Sequence, residues 1–311
     1  MSLTLFLDPV FEDHQTGRHP ESPARLEAIR KRLTDERIAK LGKRGTIRRA
    51  TLEEVTRIHG RDYVNQLEKL ANMGGGRVDA DTVMSAASFE VAMKAAGTAI
   101  AAVDAVMKGD SKRALCLFRP PGHHALADEA MGFCLLNNVA IAAAHARTVH
   151  HLDRVLIVDF DIHHGNGTQD LFYSDGQVVF FSSQRFPFWP GSGAKDETGA
   201  GAGLGATFNL PVKYGTAPVD YRKAFEATLM QAVRRAKPQI LLVSAGFDAH
   251  REDPIGDLGL GNEDFEFLTK LVRDVADREC GGRLVSVLEG GYNVDRLAEC
   301  VDLHAEGLSR A

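Results

Sequence analysis

The sequence is poor in the features that mark secreted and disulfide-stabilised proteins. Its 311 residues include only four cysteines, and no two of them form a C-x-x-C pair. Scattered cysteines argue against a disulfide framework and against a cysteine-based zinc site, and they suit a reducing compartment. The N-terminus has no basic segment ahead of a long apolar run, which predicts neither a signal peptide nor a membrane span. We therefore expect a cytoplasmic protein.

The sequence also lacks an excess of positive charge. The formal net charge is −5 and the pI is about 6.2, so there is no electrostatic reason to expect binding to nucleic acid or to an anionic membrane. A hydrophobic share of 44% and a charged share of 25% are ordinary for a globular protein. No internal repeat and no linker-like segment divides the chain, and we expect a single domain over residues 1–311.

Apolar runs of strand length alternate with segments of helical pattern along most of the chain. Strands are predicted at 4–7, 114–118, 155–158, 178–182, 208–212, 240–244 and 284–288. Helices are predicted at 51–55, 85–108, 137–150, 219–235 and 263–278, after Thr168, from 294 onward, and after Ser22 (N-cap) and Pro23 (first residue). Loops are expected at 74–76 and 184–205. This alternation predicts an α/β fold with three layers, αβα, around a central and mostly parallel sheet.

Ionisable side chains follow four of the predicted strands. They are His123 and His124, the segment from Asp159 to His164, Asp248, and Tyr292. The carboxyl ends of parallel strands meet at one edge of a sheet, which is where α/β proteins bind ligands. Asp161 and His163 are two residues apart, so on an extended strand end both side chains point the same way. Four such clusters predict a functional site at this edge.

Asp161, His163 and Asp248 are a suitable set of metal ligands. Two carboxylates and one imidazole would bind zinc and leave an open position for water. The oxygen-rich set also suits Fe²⁺ or Co²⁺, so the residue types do not fix the metal. A metal held in this way acidifies its bound water and polarises a carbonyl, which is hydrolytic chemistry.

The other residues at these strand ends suit acid–base chemistry. One ring of the His123-His124 pair can act as general base and acid, while the other adds electrostatic stabilisation. Asp159 and Asn166 are candidate partners for the far nitrogens of these rings. Tyr292 could donate its hydroxyl to an oxyanion. Asp159 could also hold a monovalent cation.

Each of these residues, taken alone, has a structural alternative. Asp248 alone would most often be a helix N-cap or a turn residue, and a histidine pair in a loop is usually solvated. Tyr292 alone would more often be a packing residue. The other eight histidines are interpreted as residues of helix surfaces or loops: His14, His19, His59, His145, His150, His151, His250 and His304.

Seven motifs together carry a family resemblance. In chain order they are HPESPARL (19–26), RPPGHHA (119–125), GFCLLNN (132–138), VDFDIHHGNGTQ (158–169), FPFWPGSG (186–193), SAGFDAHREDP (244–254) and LEGGYN (288–293). In their order and spacing they resemble the histone deacetylase superfamily, whose fold is arginase-like α/β. Asn166, and LEGGY in place of three consecutive glycines, look like the class II branch and its bacterial relatives.

The resemblance implies a zinc-dependent hydrolase that removes acyl groups from amines. It implies that zinc lies on Asp161, His163 and Asp248. It also implies a structural potassium ion near the zinc, on Asp159 and Ser182 together with two of the zinc ligands.

The resemblance further implies roles for the catalytic residues. His124 would be the proton-shuttling base and acid, oriented by Asn166. His123, paired with Asp159, would assist electrostatically. Tyr292 would polarise the acyl carbonyl and stabilise the oxyanion.

The substrate would enter a narrow tunnel. Phe133, beside Gly132, and Trp189 match the two aromatic residues that enclose the acyl-lysine methylenes in the family. Asp81 is a looser match to the acid that binds the substrate backbone. Ile255 stands at the mouth of the pocket, where relatives that prefer cationic polyamines can carry a glutamate. Trp189 is bulkier than the usual Phe or Tyr and would narrow the tunnel.

We therefore expect removal of acetyl groups from the ε-amino group of lysine in proteins or peptides. The alternative enzyme is an acetylpolyamine amidohydrolase acting on small acetylated amines, which Ile255 disfavours. The alternative outside the enzyme class is an inactive module that binds acyl-lysine, which the intact set of ligands, histidines and Tyr292 disfavours. A monomer and a homodimer are both compatible with the chain.

Overall fold

A sheet of eight parallel strands forms the centre of the protein in the computed structural model, which describes residues 3–310. The strands are β1 (Leu3–Leu7), β2 (Lys43–Arg44), β3 (Gly75–Arg77), β4 (Val83–Ser85), β5 (Arg113–Leu117), β6 (Val155–Asp159), β7 (Val178–Arg185), β8 (Thr207–Val212), β9 (Ile240–Ala245) and β10 (Leu284–Leu288). β3 and β4 form a separate antiparallel hairpin. The other eight strands pair in the order β2-β1-β5-β10-β9-β6-β7-β8.

Ten α-helices accompany the strands within residues 3–310. They are α1 (Ala24–Arg32), α2 (Asp35–Leu41), α3 (Leu52–Val55), α4 (Arg61–Asn72), α5 (Ser88–Met107), α6 (Asn138–Thr148), α7 (Asn166–Phe172), α8 (Pro218–Ala236), α9 (Asn262–Glu279) and α10 (Val294–Ser309). The series α5-α6-α7 and α8-α9-α10-α1 each pack side by side, and both series contact the sheet. The expected αβα fold is confirmed. None of these helices has both the length and the apolar character needed to cross a membrane.

The middle of the sheet is buried along its whole length. Every residue of β6, β9 and β10 is buried, as expected for parallel strands covered by helices on both faces. Burying one valine, leucine or isoleucine side chain contributes about 1.5–3 kcal/mol to the free energy of unfolding. The fold therefore fixes the ends of these three strands firmly, and the polar residues that follow them start from a rigid frame.

The structure corrects several local expectations. The segment 74–76 is not only a loop, because it enters β3 and pairs with β4. Because residue 85 belongs to β4, α5 begins at Ser88 rather than at residue 85. The first helix begins one residue later than expected, and Pro23, which has no side-chain hydrogen bond, stands at its N-cap position. Helices α2 and α4 were not predicted.

Candidate active site

The four strands whose ends carry ionisable residues lie side by side, in the order β5-β10-β9-β6. Their carboxyl ends open onto one edge of the sheet. The histidine pair follows β5, Tyr292 follows β10, Asp248 follows β9, and the segment with Asp161 and His163 follows β6. The fold thus brings residues from four distant parts of the chain to one place.

Asp161, His163 and Asp248 are close enough to share one ion. His163 Nδ1 lies 3.0 Å from Asp161 Oδ1 and 3.2 Å from Asp248 Oδ2, and one ligand atom from each residue lies within 4.8 Å of the others. Backbone N–H groups orient the two carboxylates: Gly290 donates to Asp161 Oδ2 (2.8 Å) and Ile162 donates to Asp248 Oδ1 (2.9 Å). This donor set and its burial suit a metal ion.

Two observations indicate that the cluster suits a cation. Asp248 Oδ2 is buried, and beyond its 3.2 Å contact with His163 Nδ1 it has no hydrogen-bond partner among residues 3–310. Burial, together with the Asp161 carboxylate, raises the pKa of Asp248 to about 7, because neither buried carboxylate favours a second negative charge beside it. A divalent cation would bind this Oδ2 and stabilise the ionised form of both carboxylates.

Asp159 and Ser182 lie opposite each other on β6 and β7. Both are fully buried. Ser182 Oγ has no hydrogen-bond partner among the described residues, and an unpaired buried hydroxyl is costly. A hydroxyl oxygen next to a buried carboxylate fits the oxygen-rich surroundings that a hard cation such as K⁺ requires.

His123 is a buried imidazole that faces carboxylates. Its Nδ1 lies 2.9 Å from Asp159 Oδ2, and its Nε2 lies 3.9 Å from Asp161 Oδ1. Burial alone would lower the pKa of His123, but the Asp159 and Asp161 carboxylates outweigh burial and raise it to about 10. These two carboxylates therefore favour the protonated form of His123.

His124 has the opposite character, although it is the next residue. Burial lowers its pKa well below the ordinary value, and the positive charges of His123 and His163 lower it further. Its Nδ1 lies 2.7 Å from Asn166 Oδ1, and Asn166 in turn donates to Met131 Sδ (3.3 Å). The amide oxygen accepts the Nδ1–H and so fixes the tautomer of the ring, and because the amide carries no charge it stabilises the imidazolium less than a carboxylate would. His124 is thus neutral and oriented, which is the state that a general base needs.

Glu289 holds the backbone at the histidine pair. It was not predicted as a site residue. It is fully buried. Its Oε2 accepts the backbone N–H groups of Gly122 (2.7 Å) and His123 (3.2 Å), and its Oε1 accepts the hydroxyl of Ser244 (3.0 Å). Its position directly after β10, comparable to that of the ligands after their strands, was the signal in the sequence.

A cavity of about 160 Å³ leads to this cluster. It is lined by Asp81, His124, Gly132, Phe133, His163, Phe188, Trp189, Ile255 and Tyr292. All five residues that the sequence suggests for substrate binding therefore line one cavity, together with His124, His163 and Tyr292.

The tight turn at Gly132 and Phe133 shapes one wall of the cavity. Both residues have left-handed backbone conformations, with φ of 56° and 70°. A Cβ atom at position 132 would lie 2.5 Å from the rings of both His124 and Trp189, so only glycine fits. Phe133 N–H donates to Thr82 Oγ1 (3.0 Å), which ties this wall to the loop that carries Asp81.

Tyr292 lines the same cavity next to Phe133. Its ring meets Phe133 edge-on, with a centroid distance of 5.8 Å. Desolvation, and the Asp248 carboxylate next, raise the pKa of Tyr292 well above its ordinary value, so its hydroxyl stays protonated and can donate. Arg25 holds the same loop, because its Nε donates to the Gly291 carbonyl (2.7 Å) and its Nη2 to the Glu289 carbonyl.

Phe188 is a lining residue that was not singled out from the sequence. Its ring stacks on that of His163, with centroids 5.3 Å apart and planes 20° apart, and it also receives Arg185 over its face at 4.3 Å. It belongs to the FPFWPGSG motif, but the sequence gives no sign of which of its two phenylalanines faces inward.

The interpretation of the remaining histidines was wrong for two of them, because His145 in α6 and His304 in α10 are buried and do not lie on a helix surface. Their hydrogen-bond partners are distant in sequence, so no local pattern marks them. His304, for example, lies between the hydroxyls of Thr269 (2.7 Å) and Ser286 (3.0 Å). His14, His59 and His250 lie outside the helices, as expected, but they are buried as well.

Asp104, His145 and His150 form another group of possible metal ligands away from this site. Both imidazole Nε2 atoms lie 2.8 Å from Asp104 Oδ1. A metal on Nε2 would require a proton on Nδ1 and an acceptor for that proton. The Nδ1 of His145 is buried with no partner among the described residues, so this group is better satisfied as a hydrogen-bonded cluster.

Comparison with known proteins agrees with the architecture. The family described as "Histone deacetylase domain" matches residues 19–308. "Histone deacetylase 14, chloroplastic" of Arabidopsis thaliana is 37% identical over 93% of this chain and 72% of its own length. "Polyamine deacetylase HDAC10" of Homo sapiens is 40% identical over 93% of this chain and 44% of its own length. A crystal structure of the HDA15 HD domain superposes with a TM-score of 0.90 and 32% identity, covering 99% of this chain and 88% of that one.

These matches extend over nearly the whole chain and include the strand ends, the histidine pair and the cavity described above. Together with the parallel eight-stranded sheet, they establish that the chain belongs to the histone deacetylase family.

Proposed function

We propose that this protein is a zinc-dependent deacetylase that hydrolyses the acetyl amide on the ε-amino group of lysine in proteins or peptides. The observation that carries the proposal is the convergence of a buried Asp-His-Asp ligand set with a neutral histidine and a tyrosine at the end of one narrow cavity. We also propose that residues 1–311 act as a single deacetylase domain.

The metal would be held by Asp161, His163 and Asp248. When bound, it supplies a water of lowered pKa and polarises the substrate carbonyl. The buried Oδ2 of Asp248 and the raised pKa of that carboxyl support a cation at this point. The residue types would also accept Fe²⁺ or Co²⁺. A potassium ion on Asp159 and Ser182 is supported by the unpaired Ser182 hydroxyl.

His124 would carry the protons of the reaction. Because Nδ1 is occupied by the bond to Asn166, the Nε2 atom is the one that takes a proton from the attacking water. The same nitrogen then returns the proton to the amine that leaves. The lowered pKa of His124 keeps Nε2 free at neutral pH, as a base requires.

Two further groups would stabilise the negative charge that develops on the carbonyl oxygen. Tyr292 would donate its hydroxyl to that oxygen, and its raised pKa supports a protonated donor. His123 would add positive charge, with Asp159 fixing the ring through its 2.9 Å contact. Preorganised donors and charges of this kind act strongly where water is excluded.

The cavity would bind the side chain that bears the acetyl group. Phe133 and Trp189 would provide apolar walls for its methylenes. Gly132 allows close packing there, because a Cβ atom at this position would clash with His124 and Trp189. Asp81, near the entrance, would accept backbone N–H groups of a peptide. These residues together suit a linear chain rather than a bulky ring.

Acetylated polyamine is the second candidate substrate, because a relative named polyamine deacetylase is 40% identical to this chain. Ile255 at the cavity wall argues for the peptide, since it cannot offer a negative charge to a second ammonium group. The test is the ratio of kcat/KM for an acetyl-lysine peptide and an acetylated diamine. A ratio above one supports the lysine substrate, and a ratio below one overturns it in favour of the polyamine.

A further inference from the structure

Asp253 is a buried carboxylate that the proposed mechanism does not use, yet it joins two loops of the site. Its exposed fraction is 8%. It belongs to the loop that contains Asp248 and Ile255, and its carboxylate contacts the loop after β10 that carries Tyr292. Neither a metal-ligand position nor a place in the cavity lining accounts for its burial.

The hydrogen bonds of Asp253 divide evenly between the two loops. Oδ1 accepts the backbone N–H groups of Ile255 (2.9 Å) and Gly256 (3.0 Å). Oδ2 accepts the backbone N–H groups of Tyr292 (2.7 Å) and Asn293 (3.2 Å). The two Oδ1 bonds orient the carboxylate within its own loop, and the two charge-assisted Oδ2 bonds hold the tyrosine loop to it more tightly than side-chain packing alone would.

The two loops have further contacts, among them a backbone hydrogen bond from the Phe247 N–H to the Gly290 carbonyl (3.0 Å). Asn293 Nδ2 donates to the Glu252 carbonyl (2.9 Å), and Arg296 pairs with Glu252 (3.1 Å). On the other side of Tyr292, Arg25 holds the carbonyls of the same loop. The backbone of the tyrosine loop is thus held from its N–H side by Asp253 and from its C=O side by Arg25.

We propose that Asp253 is a positioning residue that sets Tyr292 at its working distance from the substrate carbonyl and couples it to the mouth residue Ile255. This inference rests on the proposed deacetylase function. The hydroxyl of Tyr292 acts at the end of a long side chain, so a small shift of its backbone moves the hydroxyl out of hydrogen-bond range. Misplacement by about 1 Å can cost about a hundredfold in rate.

The test compares Asp253→Asn with Asp257→Asn in the full chain. The first change keeps the size of the side chain but replaces one acceptor oxygen with an NH₂ group, which faces two backbone N–H groups that it cannot accept. Asp257 is the matched control, because it caps the same loop through Gly259 N–H (2.8 Å) without contacting Tyr292. Zinc content and melting temperature are measured on each variant.

We expect Asp253→Asn to lower kcat by about ten- to a hundredfold, with zinc content unchanged and Asp257→Asn close to wild type. The decisive measurement adds the same change to Tyr292→Phe, assayed at high enzyme concentration. If Asp253 acts through the tyrosine, the double variant loses no more kcat than Tyr292→Phe alone.

Three results would overturn the inference: equal kcat in the two Asp→Asn variants, loss of zinc in Asp253→Asn, or losses that multiply in the double variant. If Asp253→Asn does not fold, Asp253→Glu keeps both oxygens but displaces them, and a kcat equal to wild type in that variant would count against the inference. A wild-type protein that cleaves no acetyl amide would instead refute the proposed function.

Discussion

His124 Nδ1 lies 2.7 Å from Asn166 Oδ1, and this bond determines which nitrogen of the ring faces the cavity. The other imidazole of the pair, in His123, faces the carboxylate of Asp159 at a similar distance of 2.9 Å. His124 thus has an amide as its partner, whereas the adjacent His123 has a carboxylate. The difference favours a neutral His124 and a charged His123, as the proposed roles of proton carrier and electrostatic group require.

Replacing Asn166 with aspartate should make His124 a poorer base near neutral pH. A carboxylate stabilises the imidazolium and raises its pKa, so the base stays protonated to a higher pH. We expect the acidic limb of the kcat/KM profile of Asn166→Asp to move upward by about one pH unit or more. Asn65→Asp, on an exposed position of α4, adds the same charge and should leave the profile in place. Superimposable profiles for all three proteins would remove Asn166 from this role.

Tyr292→Phe should lose most of its turnover while keeping its metal. The change removes one hydroxyl donor and leaves the ring that packs on Phe133. Loss of a single oxyanion donor costs about a hundred- to a thousandfold in kcat. Steady-state kinetics, with zinc content measured in parallel, check this expectation, and equal turnover would exclude Tyr292 from the mechanism.

Asp248→Ala should abolish stable zinc binding. It leaves only Asp161 and His163 as protein ligands, which is too few for a zinc site. We expect the zinc-to-protein ratio after dialysis to fall from about one to near zero. Asp104→Ala is the matched control, since it removes a carboxylate that also faces two imidazoles. Zinc retention in Asp248→Ala, or its loss in Asp104→Ala, would contradict the assignment of the ligands.

Ile255→Glu should shift the substrate preference toward acetylated diamines. The new carboxylate would stand at the cavity wall and attract the free ammonium group of an acetylated diamine. We expect the ratio of kcat/KM for diamine to that for peptide to rise at least about tenfold, equivalent to about 1.4 kcal/mol. Ile255→Gln has a similar shape without the charge, and an equal rise in that variant would rule out the electrostatic explanation.

The buried imidazole of His59 should make the protein less stable in mild acid. Burial lowers its pKa from 6.5 to about 4, and its Nε2 accepts the Asn137 N–H (2.9 Å), a bond that protonation would break. The neutral imidazole therefore contributes fully to the free energy of unfolding above pH 6.5, and this contribution is lost as the pH falls toward 4. At about 1.4 kcal/mol per pH unit, this one group accounts for about 3 kcal/mol.

Urea unfolding across that pH range tests the role of His59. The free energy of unfolding of His59→Gln should fall less steeply between pH 6.5 and pH 4 than that of the wild type. Parallel curves would show that His59 titrates alike in the folded and unfolded chains.

The sequence predicted the site best where chemistry follows a strand. Asp161, His163 and Asp248 could be placed together because apolar strands precede them and parallel strands end at one edge of a sheet. Asp253 and Phe188 could not be placed in this way. Each lies inside a loop, and only the folded chain determines which backbone amides or rings a loop residue meets.

Local patterns also have limits within the fold. Gly75 and Gly76 favour a turn by their conformational freedom, yet pairing with β4 makes them part of a strand. Helix α4 was missed although Tyr63, Val64, Leu67 and Ala71 form an apolar stripe with helical spacing. The strand at Gly75 and Gly76 depends on tertiary pairing and could not be read from the local sequence, whereas the helical pattern of α4 was present in the sequence.

A turnover assay on an acetyl-lysine peptide with zinc-reconstituted protein, measured as acetate release, tests the proposed deacetylase activity directly. A hydroxamate chelator and the Asp248→Ala variant serve as controls. We expect release of acetate that both controls abolish. Absence of cleavage by protein that demonstrably holds one zinc ion per chain would contradict the proposal, as would cleavage that persists in Asp248→Ala.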